Sequence, residues 1–268
     1  MKITIGWLYP DLMSTYGDRG NIICLKKRCQ WRGIETRIEE ISLQSTVNSL
    51  QKVELLFMGG AQDRQQKIAS QDLRENKGPV IKKMIEDGVP GLFVCAAYQF
   101  LGHYYRPAEG EEIPGLGIFD LYTVHPGKEK ERLIGNIVIK THNPELIPQS
   151  GSSDSQSRLT PNYIVGFENH GGRTYLGERV EPLGKVLVGY GNNGEDKTEG
   201  CIYKNAIGSY LHGPILPKNP HLADYLIKIA LCKKYGDAIK LIQLNDSLEW
   251  QAHNFIISKL KCQNSNFP

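Results

Sequence analysis

Apolar and polar positions switch between two periods along the first two-thirds of this chain, and the switches mark its elements. Residues Ile3 to Tyr9 run apolar or alternate, which predicts a first strand. After a turn across Pro10 to Gly20, Ile22, Leu25 and Cys29 fall at helical spacing within Asn21 to Arg32. Thr36 to Ile41 reads as a second strand and Val53 to Met58 as a buried third, ending in Gly59-Gly60. Val80 to Asp87 reads as a helix stopped by Gly88, Leu92 to Val94 as a short strand that halts at Cys95, and Tyr98 to His103 as the opening of another helix. Such alternation predicts an α/β fold, a parallel sheet with flanking crossover helices.

From Gly115 onward the apolar runs become shorter and glycine-punctuated. Gly117 to Val124, Gly135 to Lys140, Tyr163 to Glu168 and Val186 to Tyr190 read as strands, and their placement predicts a sheet continuing on one side of the active region. Gln149 to Ser157 is polar, serine-rich and without periodicity, which reads as a mobile surface loop. Ile207 to Leu211 is the last predicted strand, broken by Gly213-Pro214 directly after His212. His221 to Tyr235 follows as a helix. Leu248, Ala252, Phe255, Ile256 and Leu260 make a C-terminal amphipathic helix that starts near Asp246 and is expected to pack on its own domain. The organisation expected is one domain over residues 1–240 and a C-terminal helical extension over 241–268.

Composition narrows the function. A chain of 268 residues with 40% hydrophobic content can bury one substantial core but hardly two large ones. Its 32 basic and 29 acidic residues leave +3, with no basic block and no arginine-aromatic interleaving, so no nucleic-acid partner is expected. The start, Met1 to Trp7, lacks the basic lead and apolar stretch of a signal peptide, and no run of about 18 apolar residues occurs. A soluble, cytoplasmic protein without membrane insertion is expected. Six cysteines (Cys24, Cys29, Cys95, Cys201, Cys232, Cys262) are scattered without a C-x-x-C pair, so neither a disulfide framework nor a metal site is suggested.

One of those thiols has a reactive setting. In Gly91-Leu-Phe-Val-Cys95-Ala-Ala-Tyr-Gln-Phe-Leu-Gly102 a cysteine stands on a tight strand-to-helix turn with small neighbours, where a helix N-terminus and a nearby imidazolium would favour the thiolate. A lone strand-end cysteine is more often structural. Its surroundings change that reading. Phe57-Met-Gly-Gly-Ala-Gln-Asp63 ends a strand at the same carboxyl edge, where open α/β sheets bind ligands. The backbone amides of Gly59, Gly60 and Ala96 are candidates to hold a substrate oxygen. Gly208-Ser-Tyr-Leu-His212-Gly-Pro delivers a histidine at a strand end, a candidate base. His170, in Gly166-Phe-Glu-Asn-His-Gly-Gly172, is the second choice, whereas His103, His125, His142, His221 and His253 have no comparable setting.

These segments, with Tyr9-Pro-Asp-Leu-Met-Ser-Thr-Tyr-Gly-Asp-Arg-Gly-Asn21, together resemble the class I glutamine amidotransferases, a flavodoxin-like fold. The subgroup they resemble is CobB/CobQ-like, and within it the GatD-type glutaminase subunits of lipid II isoglutaminyl synthase. The likeness covers roughly residues 3–235. It implies a glutamine-hydrolysing enzyme with Cys95 as nucleophile and His212 as base. It implies too that Arg132 grips the L-glutamine substrate, a role that a guanidinium fork suits. Gln99, Glu168 and His170 are possible supporting residues. The family's partner is a Mur-ligase-like synthetase subunit of the MurT type. That subunit uses ATP and Mg to activate the α-carboxyl of the stem-peptide D-glutamate, which ammonia converts to isoglutamine in peptidoglycan synthesis. A complex of that kind works at the inner face of the membrane.

No cofactor site is expected in this chain. Gly177 to Lys185 has the wrong spacing for a phosphate loop, and Val186 stands where serine or threonine would bind magnesium. An amidotransferase for another acceptor such as a corrinoid, and a non-catalytic binding module on the same fold, are the alternatives. The chain departs from the family in Ala96-Ala97, where Gly-Gly is common, and in Pro214, where many class I enzymes carry the carboxylate that orients the histidine. Glu168, Glu199 and an acid supplied by the partner are the candidate replacements. Glu168 is read as out of step with His170 along its strand, and the partner is favoured.

Overall fold

The computed structural model describes residues 1–147 and 162–263, apart from Tyr16 and Ala238; the serine-rich loop expected over 149–157 lies outside the described residues. In chain order the elements that frame the molecule begin with β1 (Lys2–Leu8), α1 (Arg19–Gln30), β2 (Glu35–Ile41), β3 (Leu55–Met58), α2 (Asp63–Asp72), α3 (Gly78–Glu86), β4 (Gly91–Val94) and α4 (Ala96–Phe100). The middle of the chain forms β5 (Tyr104–Arg106), β6 (Ile113–Pro114), β7 (Leu121–Val124), β8 (Leu133–Lys140), β9 (Tyr163–His170), β10 (Arg173–Leu176) and β11 (Gly184–Val188). Then come β12 (Thr198–Glu199), β13 (Cys201–Tyr203), β14 (Ala206–Ser209), β15 (Leu211–His212), α5 (Pro220–Tyr235) and α6 (Ser247–Gln263).

The parallel strands of the first half form as their periodicity predicts. β1, β3 and β4 are continuous apolar runs because they lie inside an open sheet of order β13-β14-β4-β3-β1-β2, parallel except where β13 pairs with β14. Both faces are covered, so every residue of β3 and β4 is buried. All four parallel strands next to the site end at one carboxyl edge. That edge receives Gly59, Cys95 and the residues after Ser209.

The second half departs from expectation. The glycine-punctuated strands do not continue the parallel sheet; they form two further sheets, β12-β11-β8-β9-β15 and β10-β7-β5-β6. Short connections within them permit mainly antiparallel pairing, whereas the parallel sheet needs helical crossovers. The single strand expected over 207–211 is two strands. β14 pairs with β4 in the parallel sheet, and β15 pairs with β9 in the antiparallel one, with Tyr210 between them. α4 begins at Ala96, directly after the cysteine, earlier than its apolar spacing suggested. α2 was not foreseen, because Asp-Arg-Gln-Gln-Lys-Ile-Ala-Ser-Gln-Asp is too polar to display a helical stripe.

Two devices bind the C-terminal region to this frame. The Arg28 guanidinium, 1% exposed, forks onto Asp224 of α5 at 2.7 and 2.8 Å and onto Asp246 at 2.7 and 2.9 Å. α6 lays Ile257 and Leu260 on Val138 and Val165, covering the outer face of β8 and β9. Among the described residues no helix is long and apolar enough to cross a membrane.

Candidate active site

Cys95 sits where β4 turns into α4, and its backbone is strained, with φ 55° and ψ −107°. A β-carbon is costly at such angles, by about 1–3 kcal/mol, and the surrounding structure must hold it. Ala96 and Ala97, both fully buried, leave room for the turn, and the Cys95 N–H donates to the Ser209 carbonyl at 2.8 Å. The two alanines therefore serve where the family often has glycines.

His212, 2% exposed, reaches the same edge from β15. Its Nδ1 lies 3.4 Å from Oδ1 of Asp18, a fully buried carboxylate at the start of α1. Oδ2 of Asp18 accepts the Gly60 N–H at 2.7 Å. A β-carbon on Gly60 would meet Cys95 Cβ at 3.1 Å, His212 Cε1 at 3.2 Å and Asp18 Oδ2 at 3.5 Å, so three side chains converge on this glycine. Gly59 is confined in the same way: a β-carbon there would lie 2.6 Å from the Met13 carbonyl and 2.7 Å from Asp18 Oδ2. The Gly60 N–H, expected to face a substrate oxygen, donates instead to the acid that orients the histidine. Ala96 and Gly59 do not line the cavity described below; Ala61 does.

Burial works against a charge on His212. Attraction to Cys95, then hydrogen bonds to Asp18 and Cys95, outweigh it and raise the imidazole to about 10. The charged ring is thereby favoured between a sulfur and a carboxylate, an arrangement suited to a thiol nucleophile.

Neither acid weighed from the sequence reaches this ring. Glu168 accepts the Tyr190 and Gly191 N–H groups at 2.7 and 2.8 Å. Glu199 accepts the Ser209 hydroxyl and the Tyr210 N–H, both at 2.8 Å. The mismatch expected between Glu168 and His170 does not occur: residues two apart on a strand share a face, and the carboxylate lies 3.9 Å from His170 Nε2. The acid expected from a partner has a counterpart within the chain, Asp18. Asp18 lies in the Tyr9 to Asn21 segment, at a helix start, and its side chain makes no cap bond there.

A cavity of about 450 Å³ opens in front of Cys95. Arg132 lines it, although 37 residues separate it from Asn169, whose side-chain and backbone oxygens each hold the guanidinium at 2.9 Å. Gln99 also lines it, and its Nε2 donates to the Tyr210 hydroxyl at 2.9 Å. His170 forms part of the wall but is fixed otherwise: Nδ1 donates to the Gly172 carbonyl at 2.8 Å and the ring stacks on Tyr210 at 3.6 Å. Burial chiefly lowers its pKa, with Glu168 opposing. His170 thus lines the cavity with its ring held by Gly172 and Tyr210. His125, Gln66 and Lys128, not singled out from the sequence, line the same cavity. Among the described residues no cluster of three metal-ligating side chains exists.

A strained cysteine, a histidine and a buried acid gathered at the carboxyl edge of a mainly parallel sheet are the arrangement that thiol-dependent acyl-transfer hydrolases use. The chain belongs to the CobB/CobQ-like glutamine amidotransferase family, whose domain matches residues 4–220. It is 40% identical, over 98% of both chains, to the lipid II isoglutaminyl synthase (glutamine-hydrolyzing) subunit GatD of Staphylococcus aureus. To the protein of that name from Streptococcus pneumoniae it is 39% identical, over 92% of this chain and 87% of the other. A crystal structure of a glutamine amidotransferase superposes with a TM-score of 0.54 at 17% identity, covering 84% of this chain and 98% of that one, a likeness of fold.

Proposed function

We propose that this chain is the glutaminase subunit of a lipid II isoglutaminyl synthase. The observation that carries the chemistry is the convergence of Cys95, His212 and Asp18 on Gly60, beside a cavity that Arg132 lines. Arg132 holds the substrate carboxylate, and the Cys95 sulfur attacks the side-chain carboxamide carbon of glutamine. The C–N bond breaks as His212 gives its proton to the leaving nitrogen, which departs as ammonia and leaves a γ-glutamyl thioester. Water then loses a proton to His212 and cleaves the thioester, releasing glutamate and restoring the Cys95–His212 pair. Asp18 keeps the ring oriented and favours its charged form.

The acceptor follows from the relatives. Likeness to the two glutamine-hydrolyzing subunits runs through almost the whole chain. Likeness to a cobyric acid synthase covers 50% of this chain and only 24% of that protein, at 28% identity. The first pattern supports lipid II over a corrinoid as acceptor, and the proposed partner is an ATP-dependent, Mur-ligase-like protein that amidates its D-glutamate. The test is transfer of nitrogen from amide-labelled glutamine to lipid II by this chain together with a co-purified Mur-ligase-like protein. A gain of one labelled amide per stem peptide is the expected result. Glutamine hydrolysis with label passing to a corrinoid, or no hydrolysis with any partner, would overturn the reading.

A further inference from the structure

The chain leaves the parallel sheet and enters the antiparallel one within two residues, and this crossing lies between nucleophile and base. β14 ends at Ser209, whose carbonyl holds the Cys95 N–H at 2.8 Å, and β15 carries His212 as its second residue. At a crossing of this kind the backbone loses its ladder partners and needs others. Glu199 supplies them. Its Oε1 accepts the Ser209 hydroxyl hydrogen and the Tyr210 N–H, while Ser209 Oγ accepts the Leu211 N–H at 3.1 Å. The three residues before His212 are thus tied directly or through one hydroxyl to a single carboxylate.

The anchor itself is rigid. Glu199 is fully buried, and the next residue, Gly200, has φ +60° with any added β-carbon only 2.4 Å from the Gly208 carbonyl. The Asn192 side chain brackets that glycine, accepting its N–H at 2.9 Å and donating to its carbonyl at 3.1 Å. Tyr210, at the centre of the crossing, reaches the cavity wall through Gln99.

We propose that Glu199 is a positioning residue for glutamine hydrolysis: by holding Ser209 to Leu211 it sets the Cys95 turn, through the Ser209 carbonyl, and the approach of His212. The proposal rests on the glutaminase reading above. Acceptance of hydrogen bonds, rather than charge, is the working property. Burial lifts the carboxyl to about 7 against the opposing bonds from Ser209 and Tyr210, and an amide oxygen can take the same two donors. Glu199→Gln therefore preserves the device, and Glu199→Ala removes it.

In the purified complex, Glu199→Ala should lower kcat for glutamine about 100-fold, the scale of a misplacement near 1 Å, while KM stays within about threefold. Glu199→Gln should recover to within about fivefold of wild type, and Ser209→Ala should fall between the two with the same split. Iodoacetamide labelling of the Cys95 peptide, followed by mass spectrometry in chains whose folding circular dichroism verifies, should slow in Glu199→Ala and recover in Glu199→Gln. That readout needs no turnover, so it separates failure of this proposal from failure of the glutaminase reading. Unchanged kcat and unchanged labelling in folded Glu199→Ala would overturn the proposal, as would a Glu199→Gln variant as impaired as the alanine.

Discussion

Two regions of this molecule bury histidines and treat them in opposite ways. His212 lies between the Cys95 sulfur and the Asp18 carboxylate, and its imidazole is raised to about 10. His221 of α5 and His253 of α6 meet where those helices pack, His221 stacking on Trp250 with centroids 5.3 Å apart and His253 meeting the same indole at 5.0 Å. Burial lowers His221 to about 3 and His253 to about 4, with mutual repulsion adding to the first. His253 Nδ1 donates to the Lys218 carbonyl at 2.8 Å, and among the described residues no carboxylate forms an ion pair with either ring. Burial alone therefore favours the neutral ring, and a charge survives only where a counter-charge is built in. The first region is arranged for proton transfer, the second for packing.

The largest effect should come from removing the thiol that faces the charged ring and that is proposed as the nucleophile. Cys95→Ala should lower glutamine-dependent amidation by about 10⁴-fold or more, while amidation from added ammonia by the complex persists, since the thiol serves only hydrolysis. Comparable glutamine-dependent rates in the variant would remove Cys95 from the mechanism.

Asp18→Asn tests the other side of the same ring. Hydrolysis should fall about 10²- to 10⁴-fold. Because Asp18 helps to raise the His212 pKa, and the charged ring must protonate the leaving nitrogen, the alkaline limit of glutamine hydrolysis should move to lower pH in the variant. An unmoved pH profile would mean that another carboxylate, for instance one from a partner, holds the ring.

Arg132→Ala should act on binding. KM for glutamine should rise about 10- to 100-fold, the worth of a charged hydrogen-bond pair, with a smaller change in kcat. A loss confined to turnover, with KM unchanged, would count against a carboxylate grip.

The smallest effect concerns the neutral pair. The folded pKa values of His221 and His253 lie below the unfolded value of about 6.5, so the unfolded chain binds protons first as pH falls. Their contribution to stability is complete above that value and is lost as pH drops toward 4. In His253→Asn the drop in Tm between pH 7 and pH 5 should be smaller than in wild type by about 2–4 °C. An identical drop would show that the pair does not titrate on unfolding.

Much of the site could be read locally. Cys95, with small residues after a buried strand, and His212, before Gly213-Pro214, are each defined by their immediate neighbours, and the apolar runs of β1, β3 and β4 fix the parallel sheet. Period and composition act over a few residues, and so do the helix starts and glycine turns that shape the carboxyl edge. Asp18 could not be assigned in that way: its bond to His212 spans 194 residues, and nothing near it distinguishes an acid that caps a helix from one that turns away to a distant ring. The break at Tyr210 was likewise invisible, because Ile207 to Leu211 is apolar throughout and reads as one strand whether or not its two ends pair with different sheets. Glu199 and the enclosure of His253 belong to the same class. The sequence determined which groups have reactive chemistry and which elements carry them; the tertiary structure decided which charges face one another, because electrostatic pairing depends on distance in space and leaves no period along the chain.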